Sequence, residues 1–240
     1  MKIIYRPEID GLRAIAVLSV IIYHAKINLF GSYFLSGGYI GVDIFFVISG
    51  YLITSIIYKE LLTNNNFSFL SFYKRRIRRI IPALVAVMLI SFIFAYLFLL
   101  PSEFIDYSKS ILYSLGFFSN YYFYSTELDY GANSSLYIPF LHTWSLSVEE
   151  QFYIIFPIFF YLIFKYYKKN IFIILFIIFI LSLIVSDYSS KHSNFISFYF
   201  IHTRVWELIA GSLLAILNFK YQNQGLGISE IAYQNSLSKV

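Results

Sequence analysis

Residues 80–100 read IIPALVAVMLISFIFAYLFLL, a run of 21 positions with no charged side chain. A helix needs about 20 predominantly apolar residues to cross the hydrocarbon of a bilayer. This stretch reaches that length unaided, and Ser91 and Tyr96 are its only polar groups. It predicts a membrane span, not the core helix of a water-soluble domain.

The rest of the chain agrees with that prediction. Of its 240 residues 59% are hydrophobic and 13% charged, against about 45–50% and about 25% in soluble domains. Aromatics make up 22%, with 27 Phe and 23 Tyr. A water-soluble fold of this size has no core large enough for so much apolar side chain, so the bilayer is the natural solvent. Five further segments fit spans: Leu12–Phe30, Tyr39–Tyr58, Phe152–Phe164, Ile171–Ser186 and Val205–Phe219. The last three are short and need flanking Tyr, Trp or Lys to reach the interface. The expectation is an all-α integral membrane bundle of six spans over residues 1–220. The polar tail 221–240 is expected to be a loop or a frayed end. Tyr107–Phe123 is also apolar but is interrupted by Ser108, Ser110, Ser114, Ser119 and Asn120, so it is expected to be interfacial or re-entrant. The amino terminus imitates a signal peptide, yet no small-residue cleavage site follows it, and the segment is expected to be retained.

Charge predicts the orientation. Lys59, Lys74, Arg75, Arg76, Arg78 and Arg79 follow the second segment, Lys165, Lys168 and Lys169 the fourth, and Lys220 the sixth. Placing the amino terminus inside puts all of them in the cytoplasm. The acids Glu103, Asp106, Glu127, Asp129, Glu149 and Glu150 then fall outside. The net charge of +5 is therefore a topology signal, and a nucleic-acid partner is not expected. The chain has no Cys, which excludes disulfides, thiolate metal sites and cysteine nucleophiles. The four His, at 24, 142, 192 and 202, have no ligand spacing, so no metal is expected.

Several residues carry chemistry. Arg13 and His24 are eleven positions apart, which at about 100° per residue is about 20° past three turns. They share a face, about 16 Å apart along the axis. His24 is expected well inside the hydrocarbon, where an imidazole needs a partner or water and suits general-base work. A helix-to-helix hydrogen bond for His24 and an interfacial anchor for Arg13 are the plain alternatives. Asp10 is placed to pair with Arg13 across one turn. Asp43 falls just inside the second segment, as a site carboxylate or the partner of an arginine. Gly37, Gly38, Gly41, Ser49 and Gly50 fit close helix packing. Arg75, Arg76 and Arg79 are either positive-inside anchors or a clamp for phosphates. His142, Trp144, Ser145, Ser147, Glu149 and Glu150 crowd one end of the fourth span, as an interface belt or a carbohydrate-facing rim. Arg204 and Glu207 are spaced for an ion pair within one turn.

Five stretches, YRPEIDGLRAIAVLSVIIYHA (5–25), GGYIGVDIFFVISGYLIT (37–54), FYKRRIRRIIPAL (72–84), LHTWSLSVEEQFYIIFP (141–157) and TRVWELIAGSLLA (203–215), together resemble the acyltransferase-3 family of bacterial inner-membrane O-acyltransferases. The resemblance implies transfer of an acyl group, usually acetyl, from cytoplasmic acetyl-CoA to a hydroxyl of a surface glycan. Lipopolysaccharide O-antigen, peptidoglycan and exopolysaccharide are the family's acceptors. The family's Arg-ten-His pattern falls on Arg13 and His24 as essential residues, and its Arg-Arg-x-x-Arg pattern on Arg75, Arg76 and Arg79 as donor-binding ones. No bound cofactor is implied; acyl-CoA is the donor. Family members usually carry more spans, and many continue into an SGNH hydrolase-like domain, so this chain is expected to be an amino-terminal part. The competing readings are a transporter or flippase whose path is lined by the same charges, and an inactive remnant.

Overall fold

The computed structural model describes residues 7–29, 32–33, 35–130 and 140–237, and among these the side chains of all but 28–29, 32–33, 127–130, 194 and 222–237. The loop acids Glu127 and Asp129 therefore lie outside the described side chains. The chain is helical: α1 Pro7–Ala25, α2 Ile40–Asn64, α3 Phe69–Phe98, α4 Pro101–Leu115, α5 Ser119–Tyr130, α6 Thr143–Tyr167, α7 Ile171–His192, α8 Asn194–Tyr199 and α9 Ile201–Leu237. Two residues, Asn28–Leu29, pair antiparallel with Ser32–Tyr33. A single 3-10 turn, Lys168–Asn170, separates α6 from α7.

Three helical stretches are long and apolar enough to cross a membrane: Ile40–Asn64, Phe69–Phe98 and Thr143–His192, the last taking in α6, the 3-10 turn and α7. They contain four of the six expected segments. The first and sixth segments are not among them. α1 carries Glu8, Asp10 and Arg13 in its first turns, and α9 is diluted by Arg204, Glu207, Asn218 and Lys220. The backbone after Tyr221, expected as a loop, stays helical through Leu237. The apolar stretch Tyr107–Phe123 is broken rather than continuous: α4 ends at Leu115, and Phe117 adopts a left-handed φ of 57°. The carbonyls freed there are covered by Gly116 N–H to Leu112 O at 3.1 Å and Phe118 N–H to Tyr113 O at 2.8 Å.

Why these helices pack is legible at their glycines. In lipid, helices associate through close packing and hydrogen bonds, and small residues let backbones approach. A Cβ on Gly50 would run into the Leu208 backbone, and one on Gly211 into the Val47 carbonyl and the Tyr51 nitrogen. α2 and α9 thus meet backbone to backbone, and no other pair of helices packs as extensively. Asn218 Nδ2 donates to the Tyr51 hydroxyl at 2.8 Å further along the seam. Gly38 and Gly41, at the other end of α2, admit the α1 carbonyls of Ser19 and Ala16 in the same way. α7 joins α9 through Ser182, whose hydroxyl donates to His202 O at 2.8 Å and accepts the Trp206 N–H at 3.1 Å. The carboxyl-terminal half of α3 turns Leu89, Ile90, Ile93, Phe94, Leu97 and Phe98 outward, as a lipid-facing helix does.

An ion triad ties the same seam. Arg204 on α9 donates to Asp43 of α2 at 3.1 Å and to Glu207, one turn along α9, at 2.9 Å. Its Nε donates to Phe198 O at 3.3 Å, and its guanidinium lies 5.4 Å from the Phe198 ring centroid. Glu207 is fully buried. The expected Arg204–Glu207 pair is present, and Asp43 is the partner of an arginine. Hydroxyls do comparable work between α4, α5 and α6. Ser114 and Thr143 are 2.7 Å apart, Thr143 donates to Ser119 at 3.0 Å, and Ser119 meets Ser147 at 2.7 Å.

Two outcomes follow from this packing. Gly211→Leu should lower the thermal unfolding midpoint in detergent, with overpacking costing about 1–3 kcal/mol. Gly37→Ala, whose added Cβ meets only Ile40 at 3.9 Å, should leave the midpoint unchanged. Arg204→Ala strands two carboxylates and should cost about 3–5 kcal/mol. Adding Asp43→Asn and Glu207→Gln should recover much of that loss in the same melt.

Candidate functional site

The site is built where α6 begins, and α1, α2 and α3 converge on it. α6 starts at Thr143, well before the apolar run that predicted it, so Glu149 and Glu150 are helical. Ser49 sits next to Gly50 on α2, at the level where that helix is pressed against α9. Its hydroxyl donates to Glu149 Oε1 at 2.6 Å. The basic run is likewise the start of α3, not a loop. It lies antiparallel along α6. Phe69 packs edge-on against Tyr161 at 5.6 Å, the Tyr73 hydroxyl donates to Ile154 O at 2.9 Å, and the Arg76 guanidinium lies 4.8 Å over the Tyr153 ring. Phe72, buried one turn before Arg76, fixes which face of α3 turns inward.

This arrangement brings near one another groups that the charge count kept apart. The arginines and Glu149 were expected on opposite sides of the membrane. Tyr153 follows Glu149 by one helical turn, so Arg76 and Glu149 share one neighbourhood. Glu149 and Glu150 lie in that neighbourhood within the first turns of α6. The three arginines of the predicted clamp are therefore divided. Arg76 is half-buried against α6, while Arg75 and Arg79, with Arg78, are exposed.

α1 completes the site. Arg13 holds Asp10 at 3.4 Å, as its spacing predicted. Arg13 and His24 both lie on α1, which packs along α2. Lys26 takes a left-handed φ of 48° and ends α1 at Ala25, so His24 lies in the last turn of α1, exposed on the bundle's outer surface. Its Nδ1 is 2.9 Å from Val20 O. A carbonyl only accepts, so Nδ1 carries the hydrogen. In the neutral ring the lone pair is then on Nε2, the atom free to take a proton.

Other candidates stand apart. Trp144 is 6% exposed and is enclosed by Phe46, Phe198 and Tyr199, with ring centroids at 6.1, 4.4 and 5.8 Å. It has no open face for a sugar. Asp43, Arg204 and Glu207 form the α2–α9 triad, not part of the centre around Glu149. Ser49, Tyr153 and His142 belong to the site and were not singled out for it in the sequence. Ser49 reads there as packing, Tyr153 as one tyrosine among many, and His142 as one of four unspaced histidines.

Comparison with known proteins places the chain in a family. The family described as an acyltransferase domain, Acyl_transf_3, matches residues 6–232. O-acetyltransferase OatA of Staphylococcus aureus strain NCTC 8325 is 36% identical over 217 residues, covering 89% of this chain and 35% of that protein. A second Staphylococcus aureus protein, SAS0844 of strain MSSA476, carries a provisional O-acetyltransferase name. It is 37% identical over 229 residues, 92% of this chain and 37% of its own length. The chain thus spans about a third of the length of these relatives. No solved structure matches. With a match that runs from the first residues before α1 into α9, the chain belongs to the acyltransferase-3 family.

Proposed function

We propose that the chain is the membrane-embedded part of an O-acyltransferase of the bacterial inner membrane. It moves an acetyl group from cytoplasmic acetyl-CoA to a hydroxyl of a surface glycan: lipopolysaccharide O-antigen, peptidoglycan or exopolysaccharide. The observation that supports the proposal is His24 on α1, whose Nδ1 bonds Val20 O and leaves Nε2 to take a proton, in a chain where Arg76 is packed over Tyr153 of α6. The O-acetyltransferase names of the relatives supply the reaction class.

The chemistry balances without a metal or redox group. The acceptor hydroxyl gives its proton to His24 Nε2 as its oxygen attacks the thioester carbonyl. The C–S bond breaks, and the leaving thiolate takes a proton from the imidazolium. Guanidinium groups hold the donor's phosphates through paired N–H donors. Such proton transfer is worth about 10²–10⁴-fold in rate.

In membranes holding the whole protein, His24→Ala should lower transfer of radiolabelled acetyl from acetyl-CoA to glycan by about 10²-fold or more, with insertion unchanged. Transfer at the wild-type rate would remove His24 from the mechanism. Glycan that crosses the membrane without becoming acetylated would point to a transporter.

A further inference from the structure

The first turns of α3 carry five basic side chains in six positions, Lys74, Arg75, Arg76, Arg78 and Arg79, and packing sets one of them apart. Lys74, Arg75, Arg78 and Arg79 are exposed, while Arg76 is half-buried. Helical period explains the difference. Arg76 follows the buried Phe72 by one turn, so the two share the face that meets α6. The Tyr73 hydroxyl, donating to Ile154 O at 2.9 Å, pins the register of α3 on α6. The Arg76 guanidinium then falls 4.8 Å over the ring of Tyr153, the residue before Ile154, and 5.7 Å from the centroid of Phe72. Tyr153 is buried as well, so its ring is a fixed support. Among the described residues Arg76 makes no hydrogen bond and no ion pair. Glu149, one turn before Tyr153, accepts the Ser49 hydroxyl instead. An aromatic face attracts a guanidinium without using its N–H donors. Five donors in a planar fork are therefore left without a protein acceptor, and withdrawing a cation from water is costly unless its donors are used. A fork held in this way matches a phosphate through paired bonds. The exposed basic residues around it attract an anion without fixing its geometry.

We propose that Tyr153 is a positioning residue of the donor site: its ring, with that of Phe72, holds the Arg76 guanidinium so that the unused N–H fork receives a phosphate group of the acyl-CoA. This rests on the acyl-CoA donor proposed above. It makes Arg76 the arginine of the basic run that binds in a defined geometry, and leaves attraction of the donor to its exposed neighbours.

The test measures binding of radiolabelled acetyl-CoA to the whole protein in phosphatidylcholine nanodiscs, with thermal unfolding as a check on folding. Arg76→Gln should weaken binding about tenfold, and Arg76→Lys should recover little of it, because an ammonium has no fork. Arg78→Gln, on an exposed side of α3, sets the smaller scale for losing one positive charge. Tyr153→Leu should weaken binding about fivefold, and Tyr153→Phe, which keeps the ring face, should restore most of that loss. In an Arg76→Gln background, Tyr153→Leu should add little, because the group it positions is gone, whereas a general packing defect would add its full cost. Should Tyr153→Leu fail to fold, Tyr153→Met decides in its place. The proposal is overturned by a folded Arg76→Gln that loses no more than Arg78→Gln, by a Tyr153→Phe that loses as much as Tyr153→Leu, or by losses at Tyr153 and Arg76 that add in full. Phosphatidylglycerol that co-purifies with the wild type and is lost with Arg76→Gln, while acetyl-CoA binding holds, would assign the fork to a lipid phosphate and overturn it too. Wild-type protein that binds no acetyl-CoA overturns the donor reading and this proposal with it, whereas wild-type binding that Arg76→Gln leaves intact overturns this proposal alone.

Discussion

α2 is held on two faces by glycines, and the site depends on that. Gly50 and Gly211 bring α2 and α9 into backbone contact, while Gly38 and Gly41 bring α1 against the other end of α2. Between lipid-embedded helices there is little hydrophobic drive, because lipid tails are as apolar as leucine. Close approach supplies dispersion contacts in its place, and only a residue without a Cβ permits it. Ser49 precedes Gly50, so the contact that fixes α2 also fixes the hydroxyl that holds Glu149. A shift of α2 large enough to admit a methyl at Gly50 would move that hydroxyl out of reach.

The same low dielectric dictates how the charged groups are arranged. Arg204 is shared between Asp43 and Glu207 and roofed by the Phe198 ring. Arg76 lies over Tyr153 and within the field of two carboxylates. Unpaired, such groups would cost several kcal/mol each. The two clusters serve different helices. One ties α2 to α9. The other joins α6 to α1 and α3, and holds the residues whose chemistry the family resemblance implies.

The broken stretch between α4 and α5 shows a third use of polar groups. Ser114, Ser119, Thr143 and Ser147 contact one another in sequence and are buried. A lipid-exposed backbone break is not tolerated, but one packed against protein is. Gln151 on α6 also donates to Phe117 O at the break, at 2.8 Å. These bonds fasten the α4–α5 turn to the first turns of α6, the helix that carries Glu149.

Much of the architecture was legible in the order of residues. Runs such as 80–100 are apolar over a length that only a bilayer matches, and hydropathy is a local property. The shared face of Arg13 and His24 follows from helical period alone, and the Arg204–Glu207 and Asp10–Arg13 pairs follow from spacing within one turn. Element ends were less legible. α1 stops at Ala25 because Lys26 turns left-handed, and α6 starts at Thr143 because its polar first turns find partners on α4 and α5. The meeting of Arg76 with Glu149 was hidden altogether. Loop charge assigned them to opposite sides of the membrane, because counting charges treats a basic run as a loop and ignores how far a helix carries it along its neighbour. Sequence by itself determined the solvent, most of the helices and the pairs set by spacing within one turn. Only the tertiary structure decided which of them share a site, because helix-to-helix contact depends on register and on where glycines let backbones touch, and neither is a property of any single segment.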